Sequence, residues 1–169
     1  MKPHSRSRIR EAVVGDSKPR LSGHIAYRAV LKRSEVPEQL WSDDVVLCDR
    51  EPVKTRSDRR VTLLGDAAHP VPQYLAQGAG QAIEDAVVLR EAMRHTHGDA
   101  PAAFEHYRRA RYLRAGRVQL TARLYGDIYP ASGVQRVLRN QMFRSGLESA
   151  GFAGLKWMYD GIEPASLFN

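Results

Sequence analysis

The sequence predicts an α/β protein in which a few short strands precede a helical C-terminal half. Before residue 65 the apolar residues come in short runs, one of which alternates as a half-buried strand does. After Gly78 they recur at helical spacing. Between these regions lies VTLLGDAAHPVPQYLAQGAGQAIEDA, rich in glycine and proline, where the character of the chain changes. This stretch is the most informative part of the sequence.

Length and composition indicate one globular domain. The chain has 169 residues, of which 43% are hydrophobic and 27% are charged, and it is long enough to bury a core. No apolar run approaches the roughly 20 residues of a membrane-spanning helix, and the basic N-terminus lacks the apolar segment of a secretory signal. The single cysteine, Cys48, excludes an intrachain disulfide and a Cys-rich metal site. We therefore expect a cytoplasmic protein without a metal.

Three segments before the change in character are expected to be strands. Residues 23–31 place apolar side chains on alternate sides, which is typical of a strand with a buried face. Residues 44–48 and 60–64 are short apolar runs that fit buried strands. The polar segment between them, DREPVKTRSDR, is predicted to be turn-like, and Pro52 disfavours a central strand there.

Helices are expected from residue 80 onward. The first, residues 80–95, has apolar residues near the spacing of one helical face: Ile83, Val87, Val88 and Met93. Asp99 and Pro101 are a favoured N-cap and a favoured early helical residue, so a second helix should run from about 101 towards 125 and end at Tyr129-Pro130. Shorter helical patterns follow at 133–145 and 152–159.

The stretch around Gly65-Asp66 predicts a ligand site. A strand ending there would place a carboxylate at the edge of the sheet where ligands bind in open α/β folds. The helix beginning at Gly78-Ala79-Gly80 offers unpaired N–H groups that favour negative charge. Together they suit a polyol next to a ring that gathers negative charge, and a reduced flavin has both. In the alternative, Asp66 only closes a turn, and a histidine such as His69 is more often structural than catalytic.

The phrase LLGDAAHPVPQYLAQGAGQAIEDAVVL resembles the FAD-dependent aromatic-ring hydroxylases, the group A flavoprotein monooxygenases. It is most similar to the salicylate and 3-hydroxybenzoate hydroxylase branch, the 3-hydroxybenzoate 6-monooxygenase type in particular. SRIREAVVGD, SGHIAYRAVL and FEHYRRAR agree. The resemblance implies a partial FAD/NAD(P)-binding, Rossmann-like fold. Residues 1–50 would then be a remnant of flavin- and substrate-domain strands, and residues 51–169 the C-terminal part of the FAD-binding domain.

The resemblance also implies a set of site residues and a reaction. Asp66 would hydrogen-bond the ribityl chain of FAD, with Gly65 and Ala67 beside it, and the helix start at residues 78–80 would face the flavin pyrimidine edge. Pro72 and Gln73 would line the substrate side, where Gln73 could bind the phenol of a hydroxybenzoate; with His69 they form the candidate catalytic set. FAD would hydroxylate a small aromatic carboxylate with NAD(P)H and oxygen.

Two departures from the family pattern qualify this expectation. The chain contains no GxGxxG sequence for the ADP half of FAD, and Pro3-His4 replaces the Asp-Gly that the family has beside the pyrophosphate. In addition, LWSDDVVLC and DREPV meet directly, where the family has further substrate-domain strands and a helix. We therefore expect weak or absent FAD binding by this chain alone and no turnover. The surfaces that the deletions expose could drive self-association, and the oligomeric state stays open.

A second hypothesis is a basic module that binds an anionic partner such as nucleic acid. It rests on the net charge of +7 and on six arginines between Arg108 and Arg123. The arginines are distributed around the helix without interleaved aromatics, and charge alone is a weak indication of nucleic-acid binding. We therefore expect no nucleic-acid partner.

Overall fold

The computed structural model describes residues 8–15, 20–25, 46–149, 154–163 and 166–168. A short helix, α1 (Arg8–Val14), precedes strands β1 (Arg20–Ile25) and β2 (Val46–Asp49), which pair antiparallel with Leu21 opposite Cys48. Strands β3 (Ser57–Asp58) and β4 (Val61–Thr62) form a hairpin. Helices α2 (Gly78–His95), α3 (Ala100–Ile128), α4 (Gly133–Ser149) and α5 (Lys156–Tyr159) complete the described part of the chain. The predicted helical C-terminal half after a few short strands is thus confirmed.

The strand predictions were only partly right. The observed β1 ends at Ile25, so residues 26–31 of the first predicted strand lie outside the described residues. Instead of a buried strand over residues 60–64, the chain forms a two-residue strand in which Val61 is 45% exposed. The supposed turn before it contains β3, its hairpin partner. Both sheets in the described ranges are antiparallel pairs, so the Rossmann-like parallel sheet stays a prediction.

The helix predictions were more accurate. The Asp99 carboxylate accepts a hydrogen bond from the Ala102 amide at 3.3 Å and caps α3, and Tyr129 follows its last residue. The expected apolar face of α2 was wrong at Ile83, which is 66% exposed. The residues of α2 that are buried are Gln81, Asp85, Val88 and Ala92. Polar side chains therefore occupy the first half of the buried face.

The core lies between α2 and α3, which form a helical hairpin. One apolar cluster joins the two helices near their connection and comprises Val88, Ala92, Ala103 and Tyr107. A second cluster lies further along α3, where Leu75, Val118, Ala122 and Met158 meet. The short turn before α2 and the C-terminal helix α5 are thereby packed on α3. Among the described residues, no helix has the length and apolarity to cross a membrane.

Arg56, just before β3, is an unusual core residue. It is fully buried, and neither terminal nitrogen of its guanidinium has a hydrogen-bond partner in the described part of the chain. Burial lowers the pKa of the guanidinium, and the neighbouring Tyr107 and Asp85 oppose this effect only in part. Buried donors without partners cost about 1–3 kcal/mol each. The Nε atom of Arg56 donates to the Val53 carbonyl at 3.4 Å, so the cost at this position comes from the two terminal nitrogens.

Replacing Arg56 by an apolar residue of similar length should stabilise the protein. We expect Arg56→Met to raise the free energy of unfolding by about 1–3 kcal/mol, because it removes unsatisfied donors and a desolvated charge. Urea unfolding followed by circular dichroism measures this. Arg60→Met, in the exposed turn of the hairpin, is the matched control and should change stability by less than about 0.5 kcal/mol. A destabilised Arg56→Met would show that the guanidinium has a partner.

Candidate functional site

Gly65 begins a tight turn that presents Asp66 to solvent. Residues Gly65–Ala67 form a 3-10 turn, and the amides of Ala68 and His69 both donate to the Gly65 carbonyl, at 2.9 and 2.8 Å. Gly65 has a φ of +52°, and a Cβ at this position would lie 3.2 Å from the Cβ of Ala82. Glycine is needed because both the backbone angle and the close approach to α2 disfavour a side chain. Asp66 is exposed.

The same turn brings Asp66 to the start of α2. A Cβ on Gly78 would lie 3.8 Å from Asp66 Oδ1, so the carboxylate and the first residue of the helix are neighbours. The Gln77 side chain at the N-cap does not cap the helix, and both Ala79 and Gly80 are exposed. Two of the features predicted from the sequence, the carboxylate and the glycine-rich helix start, are therefore adjacent on the surface. The adjacency comes from the turn and not from the edge of a parallel sheet.

The segment between the turn and α2 is fixed in shape. Pro70 and Pro72 are buried, and the Gln119 side-chain amide donates to the Pro70 carbonyl at 3.1 Å. A second 3-10 turn, Gln73–Leu75, follows and leaves Gln73 half-buried. Residues 70–75 therefore form an ordered segment, which we call the wall. Whether it faces a substrate stays a prediction.

Tyr74 attaches this wall to α3. A Cβ on Gly126 would lie 2.6 Å from Tyr74 Cε2, so the ring lies directly against the helix backbone. The ring also packs edge-on against Tyr129, with 6.1 Å between centroids. Leu75 enters the second apolar cluster. Gly126 is therefore a docking position for the wall, although its place in the sequence gives no sign of this.

His69 lies inside the protein. Its side chain is 1% exposed, and its Nε2 atom is 2.5 Å from Asp85 Oδ2. This placement favours the structural alternative over a catalytic role. Of the site residues predicted from the sequence, the exposed ones are Asp66, Ala79 and Gly80.

Asp85 is the centre of a buried polar cluster that periodicity did not predict. Its Oδ2 atom accepts a hydrogen bond from the Gly65 amide at 2.8 Å as well as contacting His69, and its Oδ1 atom accepts from Arg111 Nε at 2.7 Å. Burial by itself would raise the pKa of Asp85. The hydrogen bonds and charges of His69 and Arg111 outweigh burial and lower the pKa to about 2. Asp85 is therefore ionised in the folded protein.

Arg111 extends the cluster along the helical hairpin. Its NH2 group donates to the Gln81 side chain at 2.7 Å and to the Gln81 carbonyl at 3.2 Å, and its NH1 group pairs with Glu84. Arg114 binds Glu84 through two hydrogen bonds of 2.7 and 2.6 Å and the Trp157 carbonyl through another of 2.7 Å. The network thus links α2 and α3 to the C-terminal segment.

Arg10 of α1 holds the Asp66 turn from another direction. Its side chain is fully buried, and NH1 donates to the carbonyls of Ala67 and Ala68 at 2.7 and 2.9 Å. In the sequence, SRIREAVVGD indicated only a family resemblance, and the role of this arginine was missed. The contact crosses 57 residues of sequence, so local pattern gave no signal for it.

Comparison with known proteins decides the family. A family model described as an FAD binding domain matches residues 26–122, which is more than half of the chain. The chain belongs to this FAD-binding family. The resemblance to FAD-dependent aromatic hydroxylases is confirmed by its relatives. It is 48% identical to a 3-hydroxybenzoate 6-hydroxylase of Polaromonas naphthalenivorans over 111 residues, 66% of this chain and 28% of that protein.

A second relative shows how the lengths compare. The chain is 31% identical to a 3-hydroxybenzoate 6-hydroxylase of Klebsiella oxytoca over 223 residues, covering 91% of this chain and 56% of the relative. The chain therefore spans between about a quarter and a half of the length of these FAD-family relatives. Because the alignment is longer than the 169-residue chain, the relative contains a stretch without a counterpart here. Its position, predicted between residues 48 and 49, stays a prediction.

Solved structures support the same assignment. The FAD-family chain matches a variant of HpxO from Klebsiella pneumoniae complexed with FAD, with a TM-score of 0.57 and 34% identity over 69% of this chain and 30% of that one. It also matches a salicylate hydroxylase in a substrate complex, with a TM-score of 0.56 and 31% identity over 73% of this chain and 29% of that one. The described fold is thus part of an FAD-dependent hydroxylase fold.

Adding a methyl group at Gly126 should displace the wall. We expect Gly126→Ala to destabilise the protein by about 1–3 kcal/mol, because the new Cβ would overlap the Tyr74 ring. Chemical unfolding measures the effect. Gly146→Ala in α4, where a Cβ would meet nothing within 4 Å, is the matched helix control and should stabilise by about 0.5–1 kcal/mol. Equal effects of the two substitutions would contradict the Tyr74 contact.

The ionised Asp85 should make stability depend on acid pH. A carboxyl whose pKa falls from 3.8 to about 2 on folding stabilises the folded state above the higher value, and this contribution is lost as pH falls through the lower one. We expect the wild type to lose about 2 kcal/mol more than Asp85→Asn across this window. Urea unfolding at several pH values measures the difference, and parallel pH profiles would contradict it.

Proposed function

We propose that this chain provides the ribityl- and ring-facing half of an FAD site in an aromatic-ring monooxygenase. The observation that carries the proposal is the adjacency of the exposed Asp66 carboxylate to the glycine-rich start of α2. Membership of the FAD-binding family gives this adjacency a ligand.

The residues present fit part of FAD. Asp66 is an acceptor for hydroxyl groups, and a ribityl chain carries several. The Gln77 side chain does not cap the first amides of α2, and such amides suit a ligand that gathers negative charge. Gly78 and Gly80 leave room for a flat ring to approach the backbone. The fit thus covers a polyol and a ring, and the chain shows no GxGxxG for the ADP half.

The roles of the residues follow from this arrangement. Asp66 would orient the cofactor by accepting hydrogen bonds, and the amides at Gly78 and Ala79 would stabilise negative charge on the ring. Pro72 and Gln73 would bound the substrate side, with Gln73 binding a phenol. When bound, FAD supplies the redox chemistry that activates oxygen with electrons from NAD(P)H. The protein contributes position and polarity.

The proposed substrate is a small aromatic carboxylate of the hydroxybenzoate or salicylate type. The two relatives described above are named as 3-hydroxybenzoate 6-hydroxylases, and one matched structure is a salicylate hydroxylase with substrate. We extend this substrate class to the complete monooxygenase site of which this chain would form part. The cytoplasmic location expected from the sequence is part of the same proposal.

The alternative of a basic nucleic-acid module is less well supported. All six arginines between Arg108 and Arg123 have partners within the chain. Five pair with carboxylates, and Arg117 lies 3.8 Å from the centroid of the Trp157 ring. Cations that are already paired contribute less to binding phosphates, since each must first lose its partner. The helix is better explained as a source of internal ion pairs.

A flavin titration tests the proposed function. We expect FAD to bind weakly and reversibly, with a shifted visible flavin spectrum that saturates, and not to remain bound through gel filtration. Asp66→Ala should weaken binding about tenfold, because it removes a charged hydrogen-bond acceptor worth about 1.5 kcal/mol.

Asp160→Ala is the matched control, since it removes an exposed carboxylate that pairs with Lys156 in α5. This variant should bind FAD like the wild type. An unchanged flavin spectrum with the wild type, or equal binding by wild type and Asp66→Ala, would contradict the proposal. Tight, stoichiometric FAD would contradict the expectation that this half of a site binds weakly alone.

A further inference from the structure

We infer that Asp85 is a positioning residue for the candidate site: its buried carboxylate fixes the turn that presents Asp66 to the cofactor. The inference rests on the proposed function for its ligand, FAD. Its structural basis is independent of that ligand.

One oxygen atom holds the turn at its start and just after its end. Asp85 Oδ2 accepts from the Gly65 amide at 2.8 Å and contacts His69 Nε2 at 2.5 Å. Gly65 begins the turn and His69 lies two residues after its end, and the His69 amide also donates to the Gly65 carbonyl at 2.8 Å. The loop that carries Asp66 is therefore closed from inside by a single acceptor. Asp66 itself remains exposed.

The other oxygen connects this acceptor to the helical hairpin. Asp85 Oδ1 accepts from Arg111 Nε at 2.7 Å, and both side chains are fully buried. Arg111 is held in turn by the Gln81 side chain at 2.7 Å. The position of Oδ2 is thus determined by α2 and α3 together, and the turn is held relative to the start of α2.

Only a carboxylate satisfies the three donors that converge on this position. A carboxylate offers acceptors on both oxygens, whereas an asparagine of the same shape offers one oxygen and one NH2 group. In Asp85→Asn the NH2 group would face either Arg111 or the Gly65–His69 pair of donors. The result is a buried donor–donor contact, and the turn is the element at this site that has an exposed side from which to move.

A displaced turn matters for binding because of where Asp66 lies. Its Oδ1 atom is 3.8 Å from the position of a Cβ on Gly78, so a ligand would contact the carboxylate and the helix start together. Binding groups must be held to within about 0.5 Å of their productive geometry. Movement of the turn would separate these two groups without removing either.

A double-mutant cycle on FAD binding separates positioning from general stability. We expect Asp85→Asn and Asp66→Ala each to weaken FAD binding about tenfold, and the double variant to bind within about twofold of Asp66→Ala alone, because Asp85 acts through Asp66. Multiplied effects in the double variant would overturn the inference. Glu91→Gln, a charge-neutralising change on the same helix whose carboxylate pairs with exposed Arg90, is the control and should bind like the wild type.

Amide exchange measured by NMR tests the position of the turn without flavin. In Asp85→Asn the Gly65 amide should exchange at least about tenfold faster than in Glu91→Gln, with shifted signals for the turn and unchanged signals for α4. An unchanged Gly65 amide would overturn the inference whether or not FAD binds. If the wild type binds no FAD and the Gly65 amide still exchanges faster in Asp85→Asn, the role of Asp85 in the turn is supported and the proposed function is contradicted.

Gly65→Ala provides a second route if Asp85→Asn does not fold. It strains the same turn through the φ of +52° and the 3.2 Å approach to Ala82, and it leaves the buried charges in place. We expect it to weaken FAD binding about tenfold and to add less than about twofold to Asp66→Ala. A folded Gly65→Ala variant that binds FAD like the wild type would overturn the inference.

Discussion

The Asp85 carboxylate lies fully buried between α2 and α3, where it accepts hydrogen bonds from the Gly65 amide and from Arg111 and contacts His69. A buried charge is tolerated only when donors satisfy it, so all of these partners must be in place when the chain folds. They come from a turn, the loop after it and helix α3, while Asp85 itself belongs to α2. The helical hairpin, the Asp66 turn and the start of α2 consequently depend on one another. The polar cluster connects them in addition to the two apolar clusters.

The same requirement explains how a chain of net charge +7 uses its arginines. Arg114 ties Glu84 of α2 to carbonyls of the C-terminal segment, and Arg123 pairs with Asp49 and Glu51 on the opposite side of α3. These contacts connect α3 to α2, to the C-terminal segment and to the residues at the end of β2. The arginines of α3 therefore act mainly through ion pairs within the protein, and net charge alone is a poor guide to its binding partners. Arg56 differs from these arginines, because among the described residues its two terminal nitrogens have no hydrogen-bond partner and its Nε atom donates to the Val53 carbonyl at 3.4 Å.

The candidate site follows from two local features that the cluster brings together. Gly65 permits a turn that an L-residue with a side chain would strain, and Gly78 opens a helix whose first amides the Gln77 side chain does not cap. Neither feature binds a cofactor by itself, because an isolated carboxylate or helix start is common in proteins. Their separation is fixed by Asp85 from within and by Arg10 from α1. The family relationship then gives this arrangement its expected ligand, FAD, and the limited share of each relative that the chain spans explains why we expect weak binding.

By itself the sequence determined the family, the helical C-terminal half after a few short strands, the Asp99 cap and the proximity of Asp66 to the glycine-rich helix start. These depend on local signals: turn-forming glycines, a capping side chain and a distinctive run of residues. Apolar periodicity misplaced the buried face of α2, because Gln81 and Asp85 are buried there while Ile83 is exposed. Only the tertiary structure revealed that face, since the donors that make a buried carboxylate tolerable lie up to 26 residues away along the chain. Periodicity measures hydrophobicity, and it cannot register a charge whose burial is made favourable by partners from other elements.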